Sequence, residues 1–102
     1  MMHTLFSELE AAMEAELTTR MLDLLVEIAR ISVESNEKGF AAEILALTLQ
    51  YPMNVDTLEN AEQLFSALET ELCPRVIYDA CEQAERITLD DMVVRVLEHS
   101  AG

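Results

Sequence analysis

The chain has 102 residues, enough for one small domain and too few for two. A hydrophobic fraction of 51% excludes a disordered chain, and two glycines with two prolines leave too few turn residues for an all-β fold. Twenty Asp and Glu against six Lys and Arg give a formal charge of −14, a surface that repels phosphate backbones and anionic bilayers, so neither nucleic-acid nor membrane contact is expected.

Met, Leu, Ala and Glu are abundant and favour helices, and six are predicted. The first covers about residues 4–17, with Leu5, Leu9, Ala12, Met13 and Leu17 at helical spacing. Thr18-Thr19 is the expected break and N-cap. The second helix then runs to about residue 34. It carries Met21, Leu25, Ile28 and Ser32 on one side and Leu22, Val26, Ala29 and Val33 on the next. Leu24 and Ile31 widen this apolar surface, so the helix needs neighbours on both sides.

The turn Ser35-Asn36-Glu37-Lys38-Gly39 follows, with Gly39 expected in the left-handed conformation that ends a helix. The third helix, about residues 40–50, offers Phe40, Ile44 and Leu47 beside Ala41, Leu45 and Leu49, and its small alanines permit close helix approach. Pro52 ends it by pushing Tyr51 out of the helical region. Asp56-Thr57-Leu58-Glu59 has capping-box spacing and opens a fourth helix with the stripe Leu58, Ala61, Phe65, Leu68, Leu72. Pro74 suits the first position of a fifth helix, which carries Ile77, Ala80, Cys81 and Ala84. Thr88 with Asp91 caps a sixth, Ile87 and Met92 staple that cap, and Val93, Val96 and Leu97 form the last apolar stripe. Short links between consecutive helices favour antiparallel neighbours, so the expected fold is all-α, three stacked antiparallel helix hairpins in one domain.

No residue is assigned a catalytic, cofactor-binding or metal-binding role. The serines lack a glycine-rich elbow, and no P-loop, GxGxxG or HExxH occurs. Asp90-Asp91, Glu69-Glu71 and Glu59-Glu62 read as solvated helix surface, because no Glu-x-x-His accompanies them. Cys73 and Cys81 lie eight apart, with no CxxC and with His3 and His99 near the ends of the chain. They are expected to be small buried hydrophobes in a reducing compartment. The six methionines are expected to fill core gaps. Glu16–Arg20, Glu27–Arg30 and Glu82–Arg86 have the spacing of helical ion pairs. Residues 1–9 contain Glu8 and no apolar region long enough for a signal peptide. Asp23, Glu27, Glu34 and Glu43 interrupt every apolar run well short of the about 18 residues a membrane helix needs. A cytoplasmic location is the resulting expectation.

Leu22–Pro52 resembles a tetratricopeptide-type repeat in its turn near Gly39, its small Ala41 and Ala42 and its closing Pro52. It departs from that pattern in Ile28, where a small residue is usual, and in a longer turn. Over most of the chain, Ala61–Pro74 (AEQLFSALETELCP) and Arg86–Leu97 look like the C-terminal end of the helical-repeat regions of large bacterial signal-transduction ATPases and transcriptional regulators. The resemblance implies that residues 1–17 are half of a preceding repeat and that residues 74–102 are C-terminal capping helices. It also implies a non-catalytic protein-interaction or regulatory sensor module in bacterial signal transduction, with a protein or peptide as partner and no cofactor. The alternative is a structural cap or homodimerisation domain with no separate ligand. Three hairpins sit at the lower limit for a stable repeat array, so self-association through the first helix is expected.

Overall fold

The computed structural model describes residues 2–101, and the side chains of residues 4–99. They form α1 (Met2–Glu14), α2 (Thr18–Glu34), α3 (Lys38–Thr48), α4 (Val55–Glu71), α5 (Pro74–Arg86) and α6 (Leu89–Ala101), with no strand among the described residues. The expected all-α architecture of six helices is therefore present.

The links between helices decide how they pair. After α1, the Leu17 N–H donates to the Ala12 carbonyl at 2.9 Å and the Glu16 N–H to Met13 at 3.1 Å. After α2, Glu37 donates to Ser32 at 2.8 Å and Asn36 to Val33 at 3.2 Å. Both are Schellman motifs, with Glu16 (φ 57) and Asn36 (φ 66) as their left-handed residues. The helix after each one folds back, so α1 packs on α2 and α2 on α3. The links after α4 and α5 are built differently. Leu72, Cys73 and Ile87 have ψ of 152, 137 and 160, an extended backbone with no left-handed residue. Neither α4 and α5 nor α5 and α6 pack along one another; α5 instead lies against α3, and α6 meets α1 and α3.

This pairing is not a linear stack of hairpins, because the first and last helices touch. The radius of gyration is 12.4 Å with extents of 36 × 30 × 25 Å, close to the about 13 Å of a closed globule of this length. At its centre lies α3, in contact with α2, α4, α5 and α6. Ala41, Ala42 and every residue from Ile44 to Thr48 are buried. In α2, Met21, Leu22, Leu24, Leu25, Val26, Ile28, Ala29 and Ser32 are buried, as its two-sided apolar pattern requires. The two buried hydroxyls satisfy themselves locally, Ser32 donating to the Ile28 carbonyl and Thr48 to that of Leu45.

Several local expectations are corrected. Gly39 lies inside α3 and has no positive φ; Asn36 makes the turn instead. Thr18 already belongs to α2, and Leu17 precedes it without a side-chain cap. At α4 the N-cap is Asn54, so Asp56 falls in the first turn and no D-x-x-E box forms. The Thr57 hydroxyl instead donates to Asp23 Oδ1 at 2.6 Å and ties α4 to α2. Both cysteines are exposed. The reason is that α5 buries its alanines, Ala80 and Ala84, against α3, which leaves Cys81 at the margin of that face, while Cys73 is the N-cap. Arg20 pairs with Glu8 at 3.2 Å, because Glu16 is held in the turn rather than on α2.

The cap of α6 forms as expected. The Asp91 N–H donates to Thr88 Oγ1 and the Thr88 N–H to Asp91 Oδ2, both at 3.1 Å. Met92 is buried and Ile87 packs against the core. The Leu89 N–H donates to the Tyr51 hydroxyl at 3.1 Å, so the start of α6 is fastened to the link that follows α3. No described helix is long and apolar enough to cross a membrane.

Candidate functional site

With a charge of −14, the first question is where carboxylates remain uncompensated. Five of the six cations are committed. Arg20 pairs with Glu8, Arg30 with Glu27 and Glu34, Lys38 with Glu71, Arg86 with Glu82 and Arg95 with Glu43. His99 Nε2 lies 2.9 Å from Glu37 Oε1, and its ring stacks on Phe40 at 4.1 Å. Arg75 has no ion-pair partner among the described residues.

Among the described residues, cavities lie on two faces. On the first, α2 forms a ridge between α1 and α4. A cavity of about 400 Å³ lies between Val26 on α2 and Leu64 and Ala67 on α4, and one of about 300 Å³ between Leu5 on α1 and Ile31 on α2. Glu27 and Arg30 border both cavities. They are hydrogen-bonded to each other, and Glu34 also accepts from Arg30. The bond to Glu27 and its charge raise the Arg30 guanidinium above its ordinary pKa. The charges of this ridge are thus matched within the chain.

The second face lies along α5, where it packs over α3. Gly39 and Glu43 occupy one stripe of α3, four residues apart. Val76, Asp79, Gln83 and Arg86 recur at 3-4-3 spacing down one flank of α5. A cavity of about 240 Å³ is bordered by Gly39, Glu43, Val76, Asp79, Ala80 and Gln83. It adjoins one of about 540 Å³ along Asp79, Glu82, Gln83, Arg86 and Ile87. On the α6 side, Arg95 Nη2 lies 3.1 Å from Glu43 Oε1, which fixes that carboxylate at the edge of the groove. Arg95 Nη1 is buried without a hydrogen-bond partner. Closed off from solvent, it cannot meet a ligand in this conformation.

Two features separate this groove from the α2 face. Asp79 borders both of its cavities and has no hydrogen-bond or ion-pair partner among the described residues, whereas Glu43 and Glu82 on either side are paired. The other feature is Gly39, where a Cβ built on the backbone meets no atom within 4 Å. The glycine is required neither by a positive φ nor by close packing, and its missing side chain leaves the end of the groove open.

The carboxylate pairs singled out in the sequence are dispersed. Asp91 serves the α6 cap, Glu71 pairs with Lys38, and Glu59, Glu62, Glu69 and Asp90 are exposed. Among the described residues no three His, Cys, Asp or Glu are gathered to hold a metal ion. Burial raises the Cys81 thiol pKa, helped by the charges of Glu69 and Glu85, which disfavours the nucleophilic thiolate. Comparisons with known protein families, with curated proteins and with solved structures find no match.

Sequence reasoning missed the groove. The Val76–Arg86 stripe was visible but has the composition of a solvated helix flank, and Gly39 was assigned to the turn. The usable signal was the pair Asn36 and Gly39: Asn can supply the left-handed residue, which leaves the glycine without a turn to make.

Proposed function

We propose that the chain is a non-catalytic protein-interaction module whose partner, a protein or peptide, lies in the groove between α3 and α5. The observation that carries this is the groove itself. It is an open channel over the central helix, with apolar positions at Gly39, Val76 and Ala80 and an unpaired carboxylate at Asp79. A role as a regulatory sensor in bacterial signal transduction rests on the resemblance of residues 61–74 and 86–97 alone.

Homodimerisation through the first helix has less support. Leu9 and Ala12 of α1 are buried, and Leu5, Phe6 and Met13 pack against the core. Contacts with α2 and α6 already use that stripe, and among the described residues Leu17, beyond the end of the helix, is the large hydrophobic left exposed there.

A photo-reactive amino acid at Val76, compared with one at Glu10 on the outer surface of α1, tests the proposal in the cells that make the protein. A discrete cross-linked protein from position 76 and none from position 10 is the expected result. Equal or absent adducts at both positions would count against the groove as the binding surface.

A further inference from the structure

We infer that the groove over α3 selects a cationic peptide segment, one that sets a lysine or arginine against Asp79 and an aliphatic side chain into the space left open at Gly39; this rests on the interaction reading above. The argument for the cation is charge complementarity. Asp79 is the carboxylate common to both cavities, and it has no cation of its own among the described residues. Arg86 and Arg95 are held by Glu82 and Glu43, and Arg75, four residues before Asp79 on α5, forms no ion pair with it. The chain carries fourteen more formal negative charges than positive, so the field of the whole molecule draws a basic segment in and turns an acidic one away.

The argument for the aliphatic side chain starts from Gly39. Glycine costs a helix stability relative to alanine, and it is usually tolerated where φ is positive or where another group comes close. Neither holds at Gly39 within the chain. The space beside it is bordered by Ala80, which is buried, and by Val76, which is 39% exposed. An aliphatic group placed there would cover apolar surface that the chain leaves uncovered. Asp79 and Val76 stand three apart on α5, so the two contacts fall within one short segment of the partner.

The test uses the full chain as bait for a phage-displayed library of random twelve-residue peptides. Enriched peptides are synthesised and titrated against the wild-type chain, Asp79→Asn, Gly39→Leu and, as a control in the α2–α4 groove, Ala67→Leu. Gly39→Leu adds a side chain where the backbone has room, and circular dichroism verifies that it stays folded. The expected outcome is a set of peptides with a Lys or Arg close to an aliphatic residue, weakened tenfold or more by Asp79→Asn and by Gly39→Leu but not by Ala67→Leu. Peptides that lack a cation, or that lose affinity only with Ala67→Leu, would overturn this inference while leaving an interaction module in place. No enrichment at all would overturn both.

Discussion

Two residues sit in left-handed conformations, and their chemistry makes them unequal. Asn tolerates that region because its short side chain can bond locally, whereas a Glu there carries a strain of roughly 1 kcal/mol or more. Glu16→Gly relieves this strain, partly offset by the added freedom of the unfolded chain, and is expected to stabilise the protein by about 0.5 kcal/mol or more. Asn36→Gly should change stability by less; urea denaturation of the two variants side by side checks the ranking. At Cys81 the raised thiol pKa predicts alkylation by iodoacetamide several-fold slower than that of free cysteine at pH 7.4 in a Cys73→Ser background. Since the thiolate is the reacting form, the rate should climb as pH rises past the ordinary thiol range. A rate equal to free cysteine would contradict the effect of partial burial and of the Glu69 and Glu85 charges. At this scale the sequence was partly misleading. It marked Gly39 as the turn because glycine is the commonest left-handed residue, yet Asn36 had already made the turn, and nothing in the chemistry of Glu16 announces a positive φ.

Helix ends were readable where the interaction is local. Thr88 and Asp91 have the capping spacing and bond reciprocally, so Thr88→Ala is expected to cost about 1 kcal/mol. Tyr51→Phe removes the acceptor of the Leu89 N–H and should cost about 0.5–1.5 kcal/mol. Both losses are measurable as lower denaturation midpoints with an unchanged slope. The phenol was not foreseeable, because 38 residues separate it from its donor. The same is true of the Thr57–Asp23 bond between α4 and α2, 34 residues apart.

For the molecule as a whole, six helices and a doubly packed second helix followed from apolar periodicity, a property each segment carries by itself. The pairing did not, because it depends on the links and on contacts between helices distant in the chain: α3 and α4 pack together across a link with no left-handed residue. Where Glu16 and Asn36 supply a left-handed residue, the next helix folds back; where Cys73 and Ile87 stay extended, α5 packs on α3 rather than on its chain neighbours. Closure of α1 on α6 also removes the reason for self-association, since an open stack would leave its end helix bare. Light scattering at high micromolar concentration is expected to give the mass of one chain, and a dimer mass would show that some other face associates.

The position of α3 has a consequence for how the protein opens. Repeat arrays can unravel from one end, each unit costing only its contact with the next. Here α2, α4, α5 and α6 lean on one central rod, so none of those four can be lost without stripping cover from it. Amide protons of Ile44, Leu45, Ala46 and Leu47 should therefore exchange with solvent only when the entire molecule unfolds, all sharing one opening free energy equal to that from denaturant. The amides of α4, whose buried residues are Ala61 and Leu68, should exchange earlier. In that sense the eleven residues of α3 are a clock for the whole chain: the slowest protons in the protein measure how often all of it comes apart.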